Sequence, residues 1–423
     1  MKPMHIAMAL LSAAMFFVLA GVFMGVQLEL DGTKLVVDTA SEIRWQWVFI
    51  GTAVVFFFQL LRPAFQKGLK SVSGPKFILP AIDGSTVKQK LFLVALLVLA
   101  VAWPFMVSRG TVDIATLTMI YIILGLGLNV VVGLSGLLVL GYGGFYAIGA
   151  YTFALLNHYY GLGFWTCLPI AGLMAAAAGF LLGFPVLRLR GDYLAIVTLA
   201  FGEIIKNLVN AVFLGRDADG FHISFKDSMS LGLKDGGEVL IKGPQGITGT
   251  PQAATFTIGI ILVLITLIIV MNLVNSRTGR AIMSIRDNRI AAESIGINIT
   301  KYKLLAFSIS AALAGVAGVL YAHNLTTLTA LPKNFGYNMS IMILVYVVLG
   351  GIGSIRGSVI STVILYLLPE LLRGLNNYRM LIYAIVLILA MLFNSAPQFI
   401  TLRKRIFGGL KPQHAAHSGK EEA

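Results

Sequence analysis

Between Asp192 and Arg216 the chain carries only two charged residues, Glu203 and Lys206. Three positions apart, they share one face of a helix and can neutralise each other. An ionisable residue in an apolar run is costly in lipid, and by default it marks a path for substrate or ions. Two readings therefore stand for Glu203: half of a structural pair, or part of a translocation path or gate. Two glycine clusters offer a second kind of chemistry. One runs Gly141-Tyr-Gly-Gly-Phe-Tyr-Ala-Ile-Gly-Ala-Tyr151 and contains Gly141, Gly143 and Gly144. The other runs Gly350-Gly-Ile-Gly-Ser-Ile-Arg-Gly357 and contains Gly350, Gly351 and Gly353. Broken helices free backbone groups to line a cavity, and a half-helix N-terminus offers partial positive charge to a substrate carboxylate. Small residues equally serve close helix packing, so this alternative also stands.

A third candidate is the polar stretch Ser276–Lys303, flanked on both sides by apolar runs. Arg289 to Ile295 are good helix formers, and Gly296 is placed as a C-terminal stop. Ile290, Ser294 and Ile297 give a partial apolar face. Such a helix can lie along a membrane surface and dock in a partner's groove, or it can be a simple topogenic loop. Covalent chemistry has no candidates. There is no Walker A loop to cradle ATP phosphates, and no His/Cys cluster with metal-ligand spacing. The lone cysteine, Cys167, excludes an internal disulfide and suits packing. His158 and His323 fall near predicted span ends. The chain is read as neither an enzyme nor the binder of a cofactor or metal.

These residues must be held by elements suited to a bilayer. Of the 423 residues 57% are hydrophobic and 12% charged, against roughly 25% charged in soluble domains; mean hydropathy is +0.87. From Ile114 to Leu187 there is no Asp, Glu, Lys or Arg, room for about three spans of about 20 residues each. The predicted fold class is all-α, a polytopic membrane helix bundle of about ten to twelve spans with Gly-broken or re-entrant helices. Uncharged runs place spans near 6–26, 46–61, 91–107, 114–134, 137–157, 164–185, 193–214, 255–274, 304–322, 338–352, 356–372 and 380–397. The segments 137–157, broken by glycine, and 193–214, carrying Glu203 and Lys206, are the candidates for a half-helix or a re-entrant segment. The first run is read as a retained span rather than a cleaved signal.

Sidedness follows from Lys and Arg. Basic residues gather at 62–76, 276–303 and 401–423, which are expected to be cytoplasmic together with both termini. Acids gather at 27–45 and in a long polar loop, 215–254, on the opposite side. The net charge of +14 is assigned to topology and anionic lipid; no aromatic-basic platform for nucleic acid is present. The expected organisation is an extension at 1–90, a core at 91–400 and a basic tail at 401–423.

The segments GYGGFYAIGAYTFALL (141–156), RLRGDYLAIVTLAFGEI (188–204), GPQGITG (243–249), the long run 279–322 and LGGIGSIRGSVI (349–360) together resemble the permeases of ABC importers for branched-chain amino acids. The resemblance covers about residues 110–397. It implies an inner-membrane permease paired with a second permease, two ATP-binding subunits that use the ATP, and a periplasmic binding protein. It also implies that 285–300 couples to the ATPase, through Arg286, Arg289, Ala291, Ala292, Glu293 and Gly296. Here Glu293 follows the alanines instead of preceding them, a departure from the Glu-Ala-Ala…Gly pattern of other importers. The competing reading is a secondary amino acid transporter with a coupling proton on Glu203 or Asp192; a third is a channel or membrane scaffold.

Overall fold

The computed structural model describes residues 109–371, except 190, 218–219, 227–230, 233–237, 251–255 and 326. It also describes 27–31, 34–38 and the isolated helical positions 17, 49, 52, 53, 384, 385, 387 and 388. The expected spans 6–26, 46–61, 91–107 and 380–397 therefore lie largely or wholly outside the described residues, as do the basic segments 62–76 and 401–423. The chain divides into two compact units, Met1–Pro80 with Leu402–Ala423, and Ala81–Thr401. In the first, β1 (Gln27–Asp31) pairs antiparallel with β2 (Lys34–Asp38). The rings of Phe17 and Phe49 meet with centroids 5.5 Å apart.

The second unit is a helix bundle. Its elements are α1 (Arg109–Asn129), a π-turn (Val130–Leu134), α2 (Tyr142–Tyr160), α3 (Phe164–Val186) and α4 (Asp192–Ala211). After a small β region come α5 (Phe256–Asn275), α6 (Arg277–Asp287), α7 (Arg289–Ser294) and α8 (Ile299–Asn324). Last come the single turn α9 (Pro332–Phe335), α10 (Tyr337–Gly350) and α11 (Ile355–Leu371). Among the described residues five helices are long and apolar enough to cross a membrane: Gly110–Leu134, α3, α4, α5 and α8.

At the centre α8 packs against α3, α2 and α1. Its small residues allow this. Gly315 faces Ala175 and Ala171 of α3, Gly318 faces Ala150 and Gly149 of α2, and Gly179 of α3 faces Ala311. Lipid gives helices no hydrophobic drive to associate with one another, so close backbone contact supplies the attraction. Tyr142, Phe145, Tyr146 and Phe307 fill the remaining space and are fully buried. Toward the outside, α3 and α5 expose Trp165, Leu173, Leu181 and Ile268, the apolar surface a bilayer accepts.

Three features differ from the expectations above. The break near 137–157 lies before the helix: Gly136 has φ +68, the chain runs irregularly to Gly141, and α2 is then continuous. The segment 193–214 is no half-helix, because α4 runs unbroken from Asp192 to Ala211; a paired Glu203 and Lys206 do not interrupt it. The half-length element is α10. Its 14 residues rise about 21 Å, short of a hydrocarbon core of about 30 Å.

The expected loop 215–254 contains a folded β region. Strands β3 (Phe213–Asp217), β4 (Gly220–Ser224) and β5 (Glu238–Lys242) form an antiparallel sheet in the order β4-β3-β5. A short β6 (Ile247–Thr248) pairs with β7 (Thr327–Leu328) just beyond α8. Strands of two to five residues are too short to announce themselves by alternation. Of the acids expected there, Asp217 contacts His222 at 3.1 Å; Asp219, Asp227 and Asp235 lie outside the described residues. His323, expected at a wetted span end, is instead buried between the rings of Phe153 and Phe164.

Candidate functional site

The two ends of α10 define two clusters. At its start, Gly336 caps the helix and the Tyr337 N–H donates to Glu203 Oε1 at 2.9 Å. The other carboxylate oxygen, Oε2, accepts from Lys206 Nζ. The first N–H groups of a helix lack internal partners and carry the positive end of its dipole, so a carboxylate there is well placed. The Lys206 side chain is 10% exposed and that of Glu203 23%. The predicted pair thus exists, and a helix N-terminus completes it.

The N-terminus of α2 reaches the same place. The Gly143 N–H donates to Ser340 Oγ of α10 at 2.8 Å, and the Leu140 N–H donates to Thr198 Oγ1 of α4 at 3.2 Å. Gly141 lies against the Thr198 carbonyl and against Gly202, one residue from Glu203. Gly144 meets Gly202 and Phe201. A second layer ties Tyr142 Oη to the Ser310 carbonyl at 2.9 Å, and Ser310 Oγ to the Gly127 carbonyl at 2.6 Å. The structure therefore brings Gly141, Gly143, Gly144 and Glu203 together. The three glycines are buried in helix contacts.

Gly350, Gly351 and Gly353 lie at the other end of α10. Gly350 packs against Gly357 and Ser361 of α11. Gly351 and Gly353 turn the chain, with φ +95 and +82. The Gly353 N–H donates to Asn129 Oδ1 at 2.9 Å. Beside it, Arg286 Nη1 donates to the Gly133 carbonyl of the π-turn at 2.6 Å. Arg286 Nε and Nη2 both donate to Asp287 Oδ1, at 3.0 and 2.8 Å.

Arg286 belongs to a capped surface segment. Ser276 Oγ accepts from the Gly279 N–H and starts α6, which buries Ile282 and Ile285. Asn288 Oδ1 accepts from the Ala291 N–H and starts α7. Gly296, with φ +84, ends it, and the Ile297 N–H returns to the Ala292 carbonyl at 3.1 Å; this is a glycine-terminated helix end. Asn298 then caps α8 through the Lys301 N–H. Of the predicted coupling residues, Ala292 is buried and Arg286 reaches inward, while Arg289, Ala291, Glu293 and Gly296 face out. Ile290 and Ile295 are 81% and 75% exposed.

Sequence reasoning missed Asn129, Gly133, Ser340 and the helical form of Arg277–Asp287 within the polar stretch Ser276–Lys303. Asn129 left a trace as a polar residue in an apolar run; the others left none. Among the described residues no group of His, Cys, Asp and Glu could hold a metal.

The family described as "Branched-chain amino acid transport system / permease component" matches residues 110–391, and a domain of unknown function matches residues 4–103. The chain is 64% identical over 402 residues to the high-affinity branched-chain amino acid transport system permease protein LivM of Escherichia coli (strain K12), covering 93% of this chain and 94% of that protein. The LivM protein of Salmonella typhimurium (strain LT2) is 61% identical over the same shares. The permease protein LivH of Escherichia coli (strain K12) is 26% identical over 260 residues, 59% of this chain and 80% of LivH. No solved structure gives a match. The chain is thus a multi-pass membrane permease subunit rather than a catalytic one, and it belongs to the permease components of the branched-chain amino acid transport system.

Proposed function

We propose that this chain carries leucine, isoleucine and valine across the bacterial inner membrane as one of two permeases of an ABC importer. A LivH-type chain is the second permease. Two ATPase subunits hydrolyse the ATP, and a periplasmic binding protein delivers the substrate and sets most of the selectivity. Both termini and the α6–α7 segment face the cytoplasm, and the β region faces the periplasm. The observation that carries the reading is the surface of α7. Its backbone ends are capped by Asn288 and Gly296, yet Ile290 and Ile295 stand 81% and 75% exposed. An ordered helix presenting isolated apolar side chains suits insertion into a groove on a partner. A coupling role for Arg289, Ala291, Glu293 and Gly296 follows from their placement on that exposed side. Gly141, Gly143, Gly144 and Glu203 mark where the translocation path would pass between α2, α4 and α10.

Co-purification with a C-terminal tag tests the proposal. A stoichiometric ATPase and a second permease should accompany the chain, and both the ATPase and leucine uptake should be lost when Arg289–Gly296 becomes a Gly/Ser linker of equal length. A chain that purifies alone, and that drives leucine uptake in liposomes on a proton gradient without ATP, is a secondary transporter instead. Glu203 argues against that outcome, because its carboxylate is already engaged by Lys206 and the Tyr337 N–H.

A further inference from the structure

We propose that Arg286 is the positioning residue through which movement of the α6–α7 segment enters the membrane core, and that α10 is the strut carrying it to the Glu203–Lys206 pair. This deepens the importer reading and rests on it. Ile282 and Ile285 hold α6 to the bundle by burial, a contact with no direction. Arg286 is directional. Its side chain leaves the last turn of α6 and donates to the carbonyl of Gly133, 153 residues away in sequence, at 2.6 Å. Asp287 takes the other side of the guanidinium, so the fork is aimed; Arg, with donors in a rigid plane, suits this better than Lys. The accepting carbonyl belongs to the π-turn that ends α1, an element in which the regular helical ladder is already altered.

The same knot holds α10. Gly353 Nα–H bonds to Asn129 Oδ1, one turn before Gly133 on the same strand of backbone, and Arg286 lies directly against Gly353. Gly353 joins the end of α10 through a turn in which the Gly351 N–H donates to the Val348 carbonyl at 3.1 Å and the Ser354 N–H to the Gly351 carbonyl at 2.9 Å, and α10 runs from Gly350 back to Tyr337 without a proline and with no glycine before its last residue. Its first N–H is bonded to Glu203 Oε1. A helix of 14 residues is stiff over its roughly 21 Å. A pull or rotation at Gly353 is therefore felt at the Tyr337–Glu203 bond. The turn that follows one end of the rod lies against Arg286 of the surface segment, and the other end is bonded to an ion pair inside a candidate span. A pathway claim of this kind stands or falls on measured coupling.

The experiment uses the complete complex with its ATPase and second permease, reconstituted with binding protein and radiolabelled leucine. The readout is leucine imported per ATP hydrolysed. In Arg286→Ala the ATPase should stay bound while this ratio falls about tenfold, the scale of site-to-site coupling. Arg286→Lys should recover part of it. An unchanged ratio overturns the proposal. So does release of the ATPase from the membrane subunits, which would make Arg286 a docking contact. Should the Arg286→Ala chain fail to fold or to reach the membrane, Asp287→Ala decides: Asp287 is exposed, its loss leaves the Gly133 bond in place but unaimed, and the ratio should drop severalfold. An unchanged ratio there overturns the proposal equally. Either failure in an assembled, ATP-hydrolysing complex leaves the importer reading intact, whereas a wild-type chain that recruits no ATPase removes that reading itself.

Discussion

The two glycine clusters look alike in sequence and do different work. Around Gly141 the backbone is conventional, with φ −98 at Gly141 itself, and what matters is space. The Thr198 carbonyl, Gly202 and the Phe335 carbonyl occupy the positions where side chains at 141, 144 and 143 would point. Around Gly353 space is available: a methyl there would meet its nearest atoms, Arg286 Nη1 and the Gly133 carbonyl oxygen, at 3.4 Å. What matters instead is conformation, since Gly351 and Gly353 sit at φ +95 and +82. Gly350, packed on Gly357, is the one member of the second cluster that behaves like the first. A glycine-rich motif in a membrane helix pair is thus not one signal. It can mean two backbones in contact or a turn that other residues cannot make.

Alanine substitutions separate the two. Gly141→Ala forces a methyl onto the α4 backbone, where neither side can rotate away, and should cost about 3 kcal/mol, the upper range of overpacking. Ser340→Ala should follow at about 2 kcal/mol, because it leaves the buried Gly143 N–H without its acceptor. Gly353→Ala meets only the left-handed backbone penalty, about 1–2 kcal/mol. Thermal loss of the monodisperse peak in detergent ranks the three. Asparagine, which tolerates the left-handed region, sharpens the test: Gly353→Asn should be milder than Gly353→Ala, and Gly141→Asn should be worse than Gly141→Ala. The reverse order at either position breaks the comparison.

Much of the bundle was legible because lipid imposes a simple rule: uncharged runs become helices. The runs at 114–134, 164–185, 255–274 and 304–322 mark α1, α3, α5 and α8 to within a few residues. Glu203 and Lys206 were legible as a pair because helical spacing alone sets them together. Their third partner, the Tyr337 N–H, was not, since 134 residues separate it from Glu203. The shortness of α10 was legible in the run 338–352, which stops at the second glycine cluster; what was hidden is the left-handed backbone of Gly351 and Gly353 that turns the chain there, because glycine type does not reveal φ. Gly296 was legible as a stop because local helix-end chemistry needs no tertiary partner. Arg286 was singled out only through the resemblance, as one of several coupling residues, and only the fold shows that it points inward.

Gly296→Ala isolates conformation without packing and should be the smallest effect. Its φ is +84, like that of Gly353, but nothing lies within 4 Å of where the new methyl would go. The segment is also exposed and can relax, so the cost should be near the low end of the left-handed penalty, about 1 kcal/mol. That cost falls on the end of α7 rather than on the bundle: the Ile297–Ala292 bond loosens while Ile282, Ile285 and Ala292 stay buried. The melting point in detergent should therefore barely move. The amount of ATPase retained on the tagged chain should fall, because Ile290 and Ile295 no longer keep a fixed spacing, and Gly296→Asn should restore it. A melting point lowered as far as by Gly353→Ala would mean that this turn, too, is part of the packed core, and the division between surface segment and bundle would have to be drawn further out.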